Sequence, residues 1–263
     1  MIHVSDLLES KGPRAFCSRE QVLGYWTNRM RVGGKLTPGR RLLFARGEFE
    51  GQEIVNRFLR TSVYGGSVYA RWSCPRGANK HDTAHDQYIG LFADARERKC
   101  KCGLFMRKHN EIDLELPSLL LTGHPDMIIF HNGRYYVYEY KSIDRADVSF
   151  DEIVTPLASH RLQISFYYKI MQALDMPVSR RLTVMYVDRS NSKIWGGLPY
   201  KEIPIKPESE AEMTKFKNRL LHVKHGIETK KLPDRICPTI RSERAKACPY
   251  AVECFERRQQ RVS

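Results

Sequence analysis

Apolar positions change period several times along the chain, and the changes mark the elements. The segment "SREQVLGYWTNRM" reads as a helix, and a basic loop with Gly and Pro, "RVGGKLTPGRR", follows it. In "GEFEGQEIVNRFLRTS" the apolar residues Phe49, Ile54, Phe58 and Leu59 recur at helical spacing. "SVYARWSC" alternates as a strand does, whereas residues 75–101 are polar and predict an irregular insertion. "IDLELPSLLLTGHPDMIIF" predicts strands, and "DEIVTPLASHRLQISFYYKIMQALD" a helix with Pro156 near its start or at a kink. "RRLTVMYVDRS" and "KIWGGLPYKEIPI" predict two more strands. "ESEAEMTKFKNRLLHVKHGI" predicts a helix whose acids come early and whose bases come late, as its dipole favours. No internal repeat is visible. The order of elements predicts an α/β core, a single domain over 1–263 with an insertion at 72–108 and a Cys-rich end at 232–263.

The strand pattern holds one local contradiction. "GHPDMIIFHNGRYYVYEYK" places Asp126, Glu139 and Lys141 among apolar residues, and unpaired charges there cost free energy. Asn132-Gly133 is a strong signal for a two-residue type I′ turn, because both central positions need positive φ. That turn sets His131 opposite Arg134 and, counting outward, Asp126 opposite Glu139, with Lys141 on the same face as Glu139. Facing carboxylates repel; a divalent cation between them reverses the sign, and hard cations take oxygen ligands. The competing reading is an ordinary hairpin with a charged solvent face.

Charge narrows the partner. The formal net charge is +14 over 263 residues, which favours a polyanion such as nucleic acid. Arg14, Arg19, Arg29, Arg31, Lys35, Arg40, Arg41 and Arg46 cluster near the N-terminus, with Glu20 the single acid among them. Neither a signal-peptide core nor a membrane-length apolar run is present, so a cytoplasmic protein with no membrane partner is expected. In a reducing compartment the seven cysteines point to metal ligation or buried thiols rather than disulfides.

Asp126 followed by Glu139-Tyr140-Lys141 on the next strand resembles the PD-(D/E)XK nuclease superfamily. Gln163 and Tyr167 resemble the Gln-x-x-x-Tyr helix motif of its RecB-like members, and at i and i+4 they share a helix face. Standing alone, Tyr167 would read as core and Gln163 as surface. The resemblance implies a restriction-endonuclease-like central mixed sheet flanked by helices. It also implies an acid on an upstream helix, for which Glu53 is the candidate, with Glu50 and Gln52 as rivals. Asp126 and Glu139, with the carbonyl oxygen of Tyr140, would bind Mg²⁺ or Mn²⁺, and Lys141 would stand beside water and phosphate. His124 would be structural or contact phosphate.

The tail "CPTIRSERAKACPYAVEC" holds Cys237, Cys248 and Cys254. It is similar to the end of iron–sulfur RecB-like nucleases, including CRISPR-associated ones, whose remaining ligand lies far upstream; Cys17 fits that place. Four thiolates suit a [4Fe–4S] cluster, and zinc is the alternative. Ten residues separate Cys237 from Cys248, where the family often has two. Cys74, Cys100 and Cys102, with His85 or His81, form a candidate zinc set in the insertion, of a kind found in phage-encoded relatives. Cys-x-Cys is tighter than the usual spacing.

The resemblance implies a metal-dependent DNA nuclease, an exonuclease on single strands or exposed ends, in recombination, repair or phage DNA processing. A homo-oligomer, or a recombination or replication protein, is compatible as a partner. Two other readings stand beside it: a non-catalytic nucleic-acid-binding iron–sulfur protein on a nuclease scaffold, and an RNA-processing nuclease.

Overall fold

The structure is a computed structural model that describes residues 1–8, 15–27, 65–77, 84–143, 150–188 and 200–256. The helix expected over 47–62, with Glu50, Gln52 and Glu53, lies outside the described residues, as does His81. Along the chain run β1 (Ile2–His3), α1 (Val4–Leu8), α2 (Ser18–Thr27), β2 (Val68–Ser73), β3 (Gln87–Leu91) and α3 (Phe92–Ala95). There follow β4 (Lys108–Asn110), β5 (Leu114–Leu116), β6 (Leu121–Gly123), β7 (Met127–His131) and β8 (Arg134–Ile143). The last elements are α4 (Ala158–Ala173), β9 (Leu182–Asp188), β10 (Tyr200–Ile205), α5 (Glu210–Glu228), α6 (Glu243–Lys246) and α7 (Ala251–Glu256). Two compact units divide them: residues 1–39, 115–123 and 208–263 form one, residues 40–114 and 124–207 the other.

The second unit is built on a mixed sheet in the order β10-β9-β8-β7-β2-β3, with β4 also paired to β2. All seven residues of β9 are buried, as befits a strand covered on both faces beside a parallel neighbour, β8. The hairpin β7–β8 has the register its turn demands, His131 opposite Arg134 and Met127 opposite Tyr138. Asn132 and Gly133 take φ of 49° and 74°, the left-handed pair of a type I′ turn. Helix α4 begins two residues after Pro156 and packs on β8 and β9. Val68, Ala70 and Trp72 alternate inward from β2 and meet Met127, Ile129 and Met185.

The insertion carries more structure than its polarity suggests. It contains β3 and α3, because β3 needs only one buried face and takes its ladder bonds from β2. Trp72 Nε1 donates to Gly90 O at 2.9 Å, and Phe92 stacks against the Trp72 ring at 4.7 Å. His109, 6% exposed in β4, meets the edge of the same indole at 5.5 Å. Burial lowers its pKa from 6.5 to about 4. The unfolded chain therefore takes up the proton first as pH falls, so His109 supports the fold fully above pH ~6.5, and that support is lost through pH ~4. In urea titrations the stability of the wild type relative to His109→Gln is expected to be about 2 kcal/mol smaller at pH ~5 than at pH ~8. An unchanged difference would mean that His109 is not buried as a neutral ring.

In the first unit β1 runs parallel to β6, which pairs with β5. Helix α5 starts at the N-cap Ser209, whose side chain accepts from the Glu212 N–H. It packs on α2 across Gly226, where a β-carbon would lie 2.9 Å from both Val22 and the Lys231 carbonyl.

Candidate active site

Sheet register brings the acid pair together. Asp126 stands one residue beyond the last β7–β8 ladder pair, and its Oδ2 accepts the Tyr140 backbone N–H at 2.6 Å. The side chain thus takes the place the next strand residue would have filled, which fixes the direction of the carboxylate. Glu139 is 1% exposed; its Oε1 accepts from Lys141 Nζ at 2.7 Å. Its other oxygen, Oε2, is buried and receives no hydrogen bond from the described residues.

The electrostatics follow from that crowding. Burial, then the charge of Asp126, pushes the Glu139 carboxyl well above the ordinary carboxylate range. Burial likewise raises Asp126, while the Lys141 charge and the Tyr140 N–H work against the rise. For Lys141, burial disfavours the ammonium, but Glu139 and Asp126 outweigh it and the net shift is upward. The site therefore holds a cationic lysine beside two carboxylates that repel each other. An orphaned buried carboxylate oxygen, a second oriented carboxylate and a neighbouring main-chain carbonyl are the hard donor set that suits Mg²⁺ or Mn²⁺. The residues present fit such an ion.

Helix α4 supplies the other half of the sequence expectation. Gln163 Nε2 donates to Tyr167 OH at 2.7 Å, and Tyr167 is fully buried. Its pKa stands well above the usual phenol value through burial and then the charge of Glu139, with Asp126 adding to it. Asp126, Glu139, Lys141, Gln163 and Tyr167 are accordingly neighbours. Tyr167 is thus a core residue that also borders the acid pair.

Three residues near the site escaped the sequence reading. The charge of Glu111, just after β4, raises both Glu139 and Tyr167. His160 Nδ1 lies 2.7 Å from Tyr186 OH, and Tyr186 is paired with Lys141 across β8–β9. Burial, then the Lys141 charge, lowers the His160 pKa to about 4, so the ring that shares this hydrogen bond with Tyr186 is neutral. A signal for His160 existed: it stands three residues before Gln163 and seven before Tyr167, on one helical face. His124, two residues before Asp126, pairs through Nε2 with Asp113 Oδ1 at 2.8 Å, and Asp113 also pairs with Arg71 at 2.8 Å. This network anchors the loop that carries Asp126.

The thiols fall into two groups, one in each unit. Cys17, Cys237, Cys248 and Cys254 line one small cavity with Glu20, Arg235 and Arg244. The ten residues between Cys237 and Cys248 include α6, capped by the Ser242 side chain on the Ala245 N–H, and this turn of helix returns Cys248 to the cavity. Arg244 pairs with Glu20 and donates to Ala15 O at 2.7 Å; Arg19 donates to Pro233 O at 3.0 Å and Cys254 O at 3.2 Å. Burial raises the pKa of both Cys17 and Cys248. The second group, Cys74, His85, Cys100 and Cys102, converges with its ligand atoms all within 4.8 Å of one another. Hydrogen bonding from the Cys102 N–H lowers the Cys100 thiol to about 6, against the opposing effect of burial.

The sequence matches the family model of the PD-(D/E)XK nuclease superfamily over residues 50–255. No curated protein matches it. A solved structure titled "Crystal structure of SSO0001" is 15% identical, with 90% of this chain and 85% of that chain covered and a TM-score of 0.42. No helix among the described residues is long and apolar enough to cross a membrane.

Proposed function

Since the chain belongs to the PD-(D/E)XK nuclease superfamily, we propose that it is an Mg²⁺- or Mn²⁺-dependent deoxyribonuclease, an exonuclease acting on single strands or exposed ends. Recombination, repair or phage DNA processing is the setting in which such an activity serves. The observation that carries this reading is buried Glu139 beside half-buried Asp126, with Lys141 bonded to Glu139. When bound, the metal acidifies a water and neutralises charge developing on the phosphate. Asp126, Glu139 and the Tyr140 carbonyl hold it, with Glu53 as the candidate upstream acid. The Tyr140 N–H keeps Asp126 from rotating away. Lys141, protonated through its two carboxylate neighbours, presents a compact positive charge to the scissile phosphate. Gln163, bonded to Tyr167, is the polar group of α4 assigned to this site.

Cys17, Cys237, Cys248 and Cys254 hold a [4Fe–4S] cluster in this reading, as a structural clasp rather than the site of hydrolysis. Their convergence on one cavity with two arginines supports it, because cations offset the negative charge of four thiolates and a cluster. DNA as substrate agrees with the net charge of +14.

The test is digestion of end-labelled single- and double-stranded DNA in Mn²⁺ by anaerobically purified protein. Wild type is expected to give a ladder from one end. Lys141→Ala is expected to bind DNA with little change while cleaving at least ~100-fold more slowly, the usual scale for losing a charge aimed at the transition state. Binding without cleavage by cluster-loaded wild type would overturn the enzyme reading, and internal fragments would overturn the exonuclease reading. Preferential cleavage of RNA would overturn the choice of DNA.

A further inference from the structure

We propose that Cys74, His85, Cys100 and Cys102 form a closed, structural zinc site, independent of the hydrolytic centre. The four ligands come from three stretches: the residue after β2, the loop before β3, and the turn after α3. Cys74 Sγ lies 3.4 Å from Cys102 Sγ, and Cys100 Sγ lies 3.6 Å from His85 Nδ1. A tetrahedral zinc with Zn–S of about 2.3 Å and Zn–N of about 2.0–2.1 Å separates its donors by roughly 3.5–3.8 Å. The two pairs are therefore already near ligand spacing.

The backbone around the thiols has a matching form. Cys74-Pro75-Arg76-Gly77 and Cys100-Lys101-Cys102-Gly103 each close a turn from the glycine N–H to the first cysteine carbonyl, at 2.9 and 2.7 Å. Gly103 takes φ of 87° to do so, a conformation that disfavours a side chain. In both turns the N–H two residues on points at the first sulfur, from Arg76 to Cys74 and from Cys102 to Cys100. The Asp86 N–H adds a third such bond to Cys100 Sγ at 3.4 Å, and Asp86 Oδ2 accepts from Lys101 N–H at 2.5 Å. Amide N–H groups aimed at the sulfurs fix their direction toward the shared centre, as outer-shell donors do around a metal's ligands.

These turns also account for the tight Cys-x-Cys spacing. Cys100 and Cys102 are the first and third residues of one turn, and each takes its nearest donor from elsewhere, His85 and Cys74 respectively. Three soft thiols and one imidazole select zinc over hard cations. With four protein ligands no position remains for water or substrate, so the ion's work is structural. It fastens the ends of β2 and β3, and β2 pairs with β7 of the acid-bearing hairpin.

Full-length protein purified under reducing conditions without added metal is expected to carry about one zinc per chain at this site by mass spectrometry of its metals. Cys100→Ser is expected to lose it, and Cys248→Ser, in the other thiol group, to keep it. If Cys100→Ser fails to fold, His85→Cys decides. It should retain the ion, and on cobalt substitution its spectrum should shift to that of an all-thiolate tetrahedral site. Wild type without zinc, and without a thiolate–cobalt band when Co²⁺ is added, would overturn the proposal. So would zinc unaffected by Cys100→Ser, or a Cys74–Cys102 disulfide found by thiol counting in the reduced preparation. None of these readouts depends on DNA cleavage.

Discussion

Glu139→Gln is expected to abolish Mn²⁺-dependent DNA cleavage and at the same time to raise the thermal stability of the metal-free protein. The two effects share one cause. Glu139 is buried beside Asp126, so its charged form opposes folding, and an amide of the same shape removes that cost. The sign follows from the upward pKa shift: the native state binds its proton more readily than the unfolded chain, so Glu139 favours the fold at low pH and loses that advantage as pH rises. At neutral pH the substitution is therefore stabilising. Cleavage should fall by ~10³-fold or more, since a lost metal ligand forfeits several kcal/mol of transition-state stabilisation. Melting with and without Mn²⁺ separates this from mere damage. Wild type should gain stability from the ion, as any ligand of the native state confers; Glu139→Gln should gain much less. A variant that is less stable without metal, or that responds to Mn²⁺ as wild type does, would show that Glu139 is not a ligand.

Breaking the Glu20–Arg244 pair is expected to be the costliest single change outside the acid site. Both side chains are buried, at 4% and 9% exposure, and Arg244 also satisfies the Ala15 carbonyl. Removing one partner strands the other's charge, which costs about 3–5 kcal/mol. Glu20→Ala and Arg244→Ala should each lower the unfolding free energy read from urea titrations by that amount. The double replacement Glu20→Leu with Arg244→Met should recover much of the loss, because both halves of the pair are removed together. Additive losses in the double variant would mean the two residues act separately.

What the sequence revealed and what it hid divide along the range of the signals. The hairpin was readable because Asn132-Gly133 demands a turn of one kind, and that turn alone sets which residues face each other. From it the meeting of Asp126, Glu139 and Lys141 follows by counting in twos. Gln163 and Tyr167 were readable together because a helix brings i and i+4 together wherever it lies. Glu111 and Tyr186 carry no such local mark, since only tertiary pairing of β4 with β2 and of β9 with β8 brings them near. Glu20, an isolated acid in a basic stretch, reads as a solvated charge; its partner is more than two hundred residues away. The strand β3 was hidden because a single-faced edge strand needs few apolar residues. Glu53 lies outside the described residues and stays a candidate.

The unit that holds the four-thiol cavity is discontinuous, drawing on residues 1–39, 115–123 and 208–263. Among the described residues, every strand of the large sheet precedes Cys237, Cys248 and Cys254 in the chain. The cavity therefore joins Cys17 to three cysteines that lie more than two hundred residues further along the chain. Chains cut short before residue 237 keep Asp126, Glu139 and Lys141 yet lack three of the four thiols that line this cavity, so loss of the tail separates the acid site from the thiol cavity.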